Sequence, residues 1–513
     1  MRRLLPLLLV LMVAGCAANP ARGGMMFTTV SESQQRALGD AAAKDALKQF
    51  GLYRPDSKIS HYVDDLCGKV WSATEDAGSP LTCIMLDSDE FNAWATPGYI
   101  NIYKGLLPYI NNEAELVAVL GHESGHIAAR HFASMETRQM ILSTVLGIGG
   151  AYVAARSNDS GTAAAVGLGT GIGAHAVMAS YSRAHEREAD ALGQRYMAKL
   201  GYEPGEEVRM IAAMRQKEAY DAKVAAAFGE KNGGGLLQAL YATHPPTAER
   251  EAAALRLAEG KDGNGAAIPG NFAAAKGDDP GGRRRYLEAL NGMRYGPPRK
   301  DGIAGRASLM MPHERVRWQF PDGFIFRYQP ADDAKTMGVW EGAHATSGVT
   351  VAVAVEKMQA GLSAAGIVDK LGAKDVQPLA LDGGKATAYT GVAGPGLFGH
   401  TVRRVVAVAL PWVDEAAVVT FTFPSEAVRQ REEGVLMAEL QKSQFVSEDG
   451  AKRWQPLVVF TFNAAAGDSV AREAGKLPSG ALREAWFRAL NGLKPDEEMV
   501  VGRMYKTVVD PNW

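Results

Sequence analysis

A chain of 513 residues, 47% of them hydrophobic, is too long and too apolar for one small module and should divide into two or three units. Its 55 lysines and arginines against 57 aspartates and glutamates leave a formal charge of -2. The charges are spread rather than blocked, which excludes the electrostatic footprint of a nucleic-acid binder.

The chain opens with Arg2-Arg3, an apolar run from Leu4 to Val13, and Ala14-Gly15-Cys16. The run is too short to span a bilayer and ends on the small residues a signal peptidase accepts, so residues 1–16 are expected to be a signal peptide. The end of the run also resembles a bacterial lipobox. That resemblance implies that Cys16 becomes an acylated N-terminus. Ala17 and Ala18, with no Asp directly after the Cys, then imply the outer membrane of a Gram-negative cell, facing the periplasm. Residues 17–30 read as a tether. Cys67 and Cys83 remain, and in an oxidising compartment they are either one disulfide or two buried thiols.

Helical periodicity follows over Glu32–Phe50 and Ile59–Thr74, then a strand over Leu81–Leu86. Thr96-Pro97-Gly98 marks a turn before the alternating strand Tyr99–Tyr103. The next helix starts at Asn112, with Glu115 three residues on as in a capping box, and is predicted to run to about Met140. Residues 141–179 are rich in Gly and Ala and nearly uncharged, and are read as two close-packed helices or a membrane hairpin. Helix resumes over Tyr181–Leu200, stopped by Gly201 and Pro204, and continues in Ala-rich segments to about Glu259.

Residues 31–260 are thus the expected catalytic domain, 261–282 a linker, 283–450 an α+β domain and 451–513 a small terminal module. The fold class is α+β, with a mainly helical first domain carrying a small sheet. Leu287–Gly292 and Phe487–Gly492 echo one another weakly, as two helix ends stopped by Asn-Gly.

Inside the predicted helix, Gly121-His122-Glu123-Ser124-Gly125-His126 places two imidazoles four residues apart on one face, where both reach one metal ion. Glu123, turned about 100° from His122, is placed to hold a water as general base without ligating. A catalytic zinc site needs a third protein ligand. Ala129 and Phe132 stand where the extended HExxHxxGxxH pattern needs Gly and His, and His131 is one residue out of register. The second candidate is Tyr181–Asp190, where Glu186 and Asp190 share a helix face. Glu186 is therefore the expected ligand, and Asp190 the acceptor for the free N–H of a ligating His. Arg187 and Glu188 are read as a solvated face. His244, held out of helical geometry by Pro245, is assigned either to the oxyanion or to the fourth zinc position in the resting site.

Asn92-Ala93, Ala95–Gly98, Gly105–Leu107, Glu113–Leu116, the run from Gly121 to His131, Ser182-Arg183, Glu186, Ala189-Asp190 and His244-Pro245 together resemble one family. It is the HtpX/BepA/LoiP-like and CAAX-prenyl-protease-like HExxH zinc metallopeptidases, which are gluzincins. The resemblance covers about Leu81 to Arg250. It implies one Zn²⁺ per chain held by His122, His126 and Glu186, a metalloendopeptidase activity, and a substrate strand pairing with Tyr99–Tyr103. It further implies misassembled envelope proteins as substrates. No tetratricopeptide repeat follows the catalytic domain, unlike BepA. Tyr286–Gly296 and Gly302–Phe326 instead resemble an extension of some lipoproteins in this family, and the final unit loosely resembles a peptidoglycan-binding LysM module. The competing reading is a non-proteolytic envelope scaffold or chaperone whose C-terminal domains bind peptidoglycan or an outer-membrane assembly complex. The intact Glu123 argues against it.

Overall fold

The computed structural model describes residues 16–54, 57–138, 181–230, 244, 247–260, 280–331, 338–358, 362–394, 400–478 and 480–512. Residues 1–15 of the expected signal peptide, the whole of 141–179 and most of the expected linker lie outside the described residues. Two compact units emerge: Met1–Arg215 with Leu236–Ala289, and Gln216–Gly235 with Leu290–Trp513. The architecture is mixed α+β. Among the described helices, none is long and apolar enough to cross a membrane.

The first unit opens with a hairpin of β1 (Cys16–Asn19) and β2 (Gly24–Phe27). Helix α1 (Glu32–Phe50) begins at a capping box in which Ser31 and Gln34 bond reciprocally. Helix α2 (Lys58–Ser72) buries Ile59, Val63, Leu66 and Val70, spaced three and four apart as one apolar stripe, with Trp71 beside them. Cys67 of α2 is joined to Cys83, Cα atoms 6.6 Å apart.

Strands β3 (Thr82–Leu86), β4 (Ala93–Thr96) and β5 (Tyr99–Tyr103) form a small sheet in the order β3-β5-β4. Here β5 is parallel to β3 and antiparallel to β4. Tyr99–Tyr103, expected from the family resemblance to receive a substrate strand, therefore has both sides occupied. The edge belongs to Ala93–Thr96, because the turn at Pro97-Gly98 (Gly98 φ +86°) folds β4 outside β5.

Helix α3 (Glu113–Ala128) follows, with all sixteen residues buried. The helix expected to reach Met140 breaks instead at Arg130, whose φ is +55°, and residues 131–138 form a separate helical stretch. Helices α4 (Arg183–Lys199), α5 (Glu206–Ala227) and α6 (Ala248–Ala258) come next. Helix α7 (Pro280–Leu290) packs with the first unit through Arg283 to the Asn111 carbonyl (3.0 Å) and Tyr286 to the Leu107 carbonyl (2.6 Å). Residues 283–289 thus belong with the helical unit rather than with the domain their texture suggested.

The second unit is dominated by antiparallel sheets. Its short strands are β6 (Arg294–Tyr295), β7 (Ile303–Gly305), β8 (Ser308–Met311) and β9 (Val316–Gln319). The long ones are β10 (Phe324–Gln329), β11 (Val339–His344), β12 (Thr350–Lys357), β13 (Lys374–Leu381), β14 (Ala386–Ala393), β15 (Val402–Leu410) and β16 (Glu415–Phe423), with α8 (Ala364–Lys370) between β12 and β13. Strands β10 to β16 make one seven-stranded sheet, in the order β10-β11-β12-β16-β15-β14-β13. Helix α9 (Glu426–Leu440) and β17 (Gln444–Phe445) follow, and β17 joins a four-stranded sheet, β17-β9-β8-β7. Their core is aliphatic and aromatic: Trp318, Val353, Val406, Val419, Phe421 and Phe423 are all fully buried. After the short α10 (Glu448–Lys452), β18 (Leu457–Asn463), α11 (Val470–Ala474), α12 (Arg483–Asn491) and β19 (Met504–Val509) complete the chain. Strand β18 also pairs with β6, so the terminal sheet takes a strand from well before residue 451. The weak sequence echo has a structural counterpart here. Asn291 and Asn491 each accept a strand N–H, from Thr461 and Lys506, and Gly292 and Gly492 both have positive φ.

Candidate metal centre

Two helices that meet at glycines bring the site together. A Cβ at Gly121 would stand 3.1 Å from the Gly193 Cα, one at Gly125 3.1 Å from the Ala189 carbonyl, and one at Gly193 3.0 Å from the His122 nitrogen. The α3 and α4 backbones therefore approach to a distance that leaves little room for side chains, and Glu186 of α4 reaches across to the histidines of α3. Asn112 caps α3 by accepting from the Glu115 N–H (2.7 Å), but the Glu115 carboxylate bonds the Asn111 N–H (2.7 Å) rather than that of Asn112.

The Nε2 atoms of His122 and His126 lie 3.0 Å apart, and Glu186 stands 3.5 Å from the first and 3.4 Å from the second. His244 completes the group: its Nδ1 is 3.2 Å from His122 Nε2 and 3.0 Å from Glu186. All four side chains are buried, with ligand atoms within 4.8 Å of one another. Four donors each about 2.0–2.1 Å from a common tetrahedral centre would be spaced about 3.3 Å apart, so the set fits zinc. Two further atoms have no hydrogen-bond partner although they are buried, Glu123 Oε2 and His244 Nε2. Such atoms call for a ligand to satisfy them. Glu123 Oε1 is 3.7 Å from His244 Nε2, so the carboxylate lies beside the donor set without joining it.

Protonation agrees with ligation at Glu186 and His126, while His122 would have to shed a proton to ligate. Burial would raise the Glu186 carboxyl, but His244 and hydrogen bonds from the three histidines hold it well below the ordinary range, as an anion. Burial pushes His126 well below its usual value, to the neutral form that ligates. Burial and Arg250 act in the same direction on His122, yet its bonds to Asp190 and Glu186 override them and raise it to about 10. The carboxylates of the cage thus favour positive charge at its centre.

His122 Nδ1 meets Asp190 Oδ1 at 2.8 Å, the partner expected from the helix face. Sequence reasoning missed what holds Asp190. Arg250 of α6 binds both its oxygens at 2.7 Å and reaches Glu186 at 3.2 Å while 5% exposed. A buried arginine beside two buried carboxylates is a strong cue in three dimensions, but sixty residues of chain separate it from Asp190. Glu188, expected on a solvated face, is instead bonded to His131 and Arg22. Burial would raise its carboxyl, and these two bonds bring it down to about 2. Arg187 matches the expectation, in a half-exposed pair with Glu249. Tyr181 lies on the His126 ring, centroids 4.0 Å apart, and its hydroxyl donates to the Ala95 carbonyl of β4 (3.4 Å).

Residues 61–258, a stretch that includes all four donors and Glu123, match the profile of peptidase family M48. The Escherichia coli beta-barrel assembly-enhancing protease is 29% identical over 189 residues, 36% of this chain and 38% of that protein. Metalloprotease YcaL of Escherichia coli is 29% identical over 178 residues, 34% and 60% of the two chains. The Arabidopsis thaliana mitochondrial metalloendopeptidase OMA1 is 31% identical over 201 residues, 38% and 33%. The alignment with the assembly-enhancing protease thus spans well under half of that protein. The chain carries a peptidase family M48 domain.

Proposed function

We propose that the M48 domain of residues 61–258 is a single-zinc endopeptidase, with His122, His126 and Glu186 as ligands and Glu123 as the base. The observation that carries this is the convergence of four buried donors with the unpartnered Glu123 Oε2 beside them. Zinc bound there supplies Lewis-acid polarisation of the scissile carbonyl and a lowered pKa for water. Glu123 takes the proton of the attacking water and returns it to the leaving amine nitrogen. His244, whose Nδ1 joins the donor set, would be a fourth ligand when no substrate is bound, and its unpartnered Nε2, when protonated, would be the donor to a developing oxyanion. An extended substrate lies along the edge strand β4, whose Ala95 carbonyl neighbours His126 through Tyr181.

The substrates we propose are misassembled envelope proteins. The support is the similarity to a protease named for β-barrel assembly, together with a leader that resembles a lipobox at Cys16. Anchoring to the outer membrane through acylated Cys16, facing the periplasm, belongs to the same proposal. So does a peptidoglycan or assembly-complex contact for the terminal β18-α11-α12-β19 module.

The test is a substrate trap. Glu123→Gln should lower peptide-bond cleavage by about 10²–10⁴-fold with zinc still bound, and should retain unfolded outer-membrane proteins that the wild type cleaves. His126→Ala should lose both metal and activity. Wild-type-level cleavage by Glu123→Gln would remove the assigned base, and equal capture of partners by Glu123→Gln and His126→Ala would favour the scaffold reading.

A further inference from the structure

We propose that His131 and Glu188 form a positioning relay for the zinc ligand His126, anchored at its outer end by Arg22 of the N-terminal hairpin. The inference rests on the zinc reading above.

An imidazole that ligates through one nitrogen needs an acceptor for the N–H on the other, because that bond fixes both ring tautomer and orientation. His122 has Asp190 directly. Among the described residues His126 has no such carboxylate; its Nδ1 instead meets His131 Nδ1 at 2.9 Å. Two facing imidazole nitrogens share a single proton. With His126 Nε2 turned to the other donors, that proton sits on His126 Nδ1, and His131 Nδ1 accepts it. The proton of His131 is then on Nε2, which points at Glu188 Oε2, 3.0 Å away. Both Glu188 oxygens in turn accept from the Arg22 guanidinium, through Nε and Nη2. Every donor in this series finds an acceptor, from the half-exposed surface to the ring that faces the metal.

The backbone is arranged to permit the contact. In a continuous helix His131, five residues after His126, would point about 140° away from it. The left-handed Arg130 ends α3 and turns His131 back, 1% exposed and stacked on His185 with centroids 4.3 Å apart. The break frees carbonyls at the end of α3, and the hairpin satisfies them: Asn19 donates to the Ala129 carbonyl (2.9 Å) and the Ala21 N–H to that of Ala128 (3.4 Å). The hairpin that delivers Arg22 is thus docked on the break that positions His131. An ion pair as exposed as Arg22–Glu188 adds little stability by itself, so the effect is read in how firmly His126 holds the metal.

Zinc affinity of the full chain, measured by competition with a chromophoric chelator, decides the matter, with the visible spectrum of the cobalt(II)-substituted protein as second readout. Glu188→Gln should weaken zinc binding about tenfold and His131→Gln about 10–100-fold, each with an altered cobalt spectrum. Arg195→Gln, on the same helix but paired with Glu75, should match the wild type. Zinc affinity within twofold of wild type and an unchanged cobalt spectrum in both relay variants would overturn the proposal. Should His131→Gln fail to fold, the isosteric Glu188→Gln decides alone. Failure of the zinc reading has a different signature: His126→Ala would then bind zinc as the wild type does, and the relay falls with it.

Discussion

The candidate metal centre of the first unit and the main sheet of the second bury different chemistry. The interior of the first holds Glu113, His122, Glu123, His126, Glu186, Asp190, Glu207 and Arg250, all under 7% exposed. The seven-stranded sheet of the second is packed with Val, Phe, Leu and Trp. Buried charge contributes little to stability unless each group is paired, and removing one partner strands the other. Apolar burial stabilises without directing anything. The first unit therefore couples its stability to its site, and the second should be stable independently of metal.

Arg250→Met should break this pattern most severely. It leaves Asp190 and Glu186 buried without their cation, so thermal unfolding should show a loss of about 3–5 kcal/mol, accompanied by weakened zinc binding. Phe421→Ala in the second unit should cost a similar 3–5 kcal/mol through the cavity it opens, with zinc affinity unchanged by chelator competition. An equal effect of both on zinc would erase the distinction between the units. Replacing Cys67 and Cys83 together by Ala and Val, which opens a link across 16 residues, should lower first-unit stability by about 3 kcal/mol in denaturant titrations.

The smallest effect expected is at Glu90, whose carboxyl is pushed up to about 7 by burial and by Asp89. Unfolded, it titrates near 4.5, so the folded state holds its proton more tightly. Stability should fall as pH rises from about 4.5 to 7, and the penalty is complete above that. Glu90→Gln should therefore gain about 1–2 kcal/mol at pH 8, once solvent screening of this partly exposed group is allowed for, and nothing at pH 4. A constant difference across this range would show that the group does not titrate as argued.

Much of the site was legible because its signals are local. His122 and His126, and again Glu186 and Asp190, sit four apart, and helical geometry alone puts each pair on one face. The β-rich texture of Val349–Val355, Thr401–Leu410 and Ala416–Phe423 likewise locates β12, β15 and β16 to within a residue or two. Glu188 was misread for the complementary reason. Its partners are 57 and 166 residues away, so no spacing rule separates a relay from a solvated charge.

By itself, then, the sequence determined which histidine and carboxylate pairs share a helix face, the Glu123 carboxylate beside them, the α+β class and the two cysteines able to join. Only the tertiary structure decided that Arg250 supports Asp190, that the helix breaks at Arg130, that β4 rather than β5 is the edge, and that the hairpin behind Cys16 docks near His126. The reason is physical. Periodicity fixes which side chains share a surface of one element, whereas which surfaces meet depends on backbone approach, as at Gly121, Gly125 and Gly193, and on buried charges finding partners far along the chain.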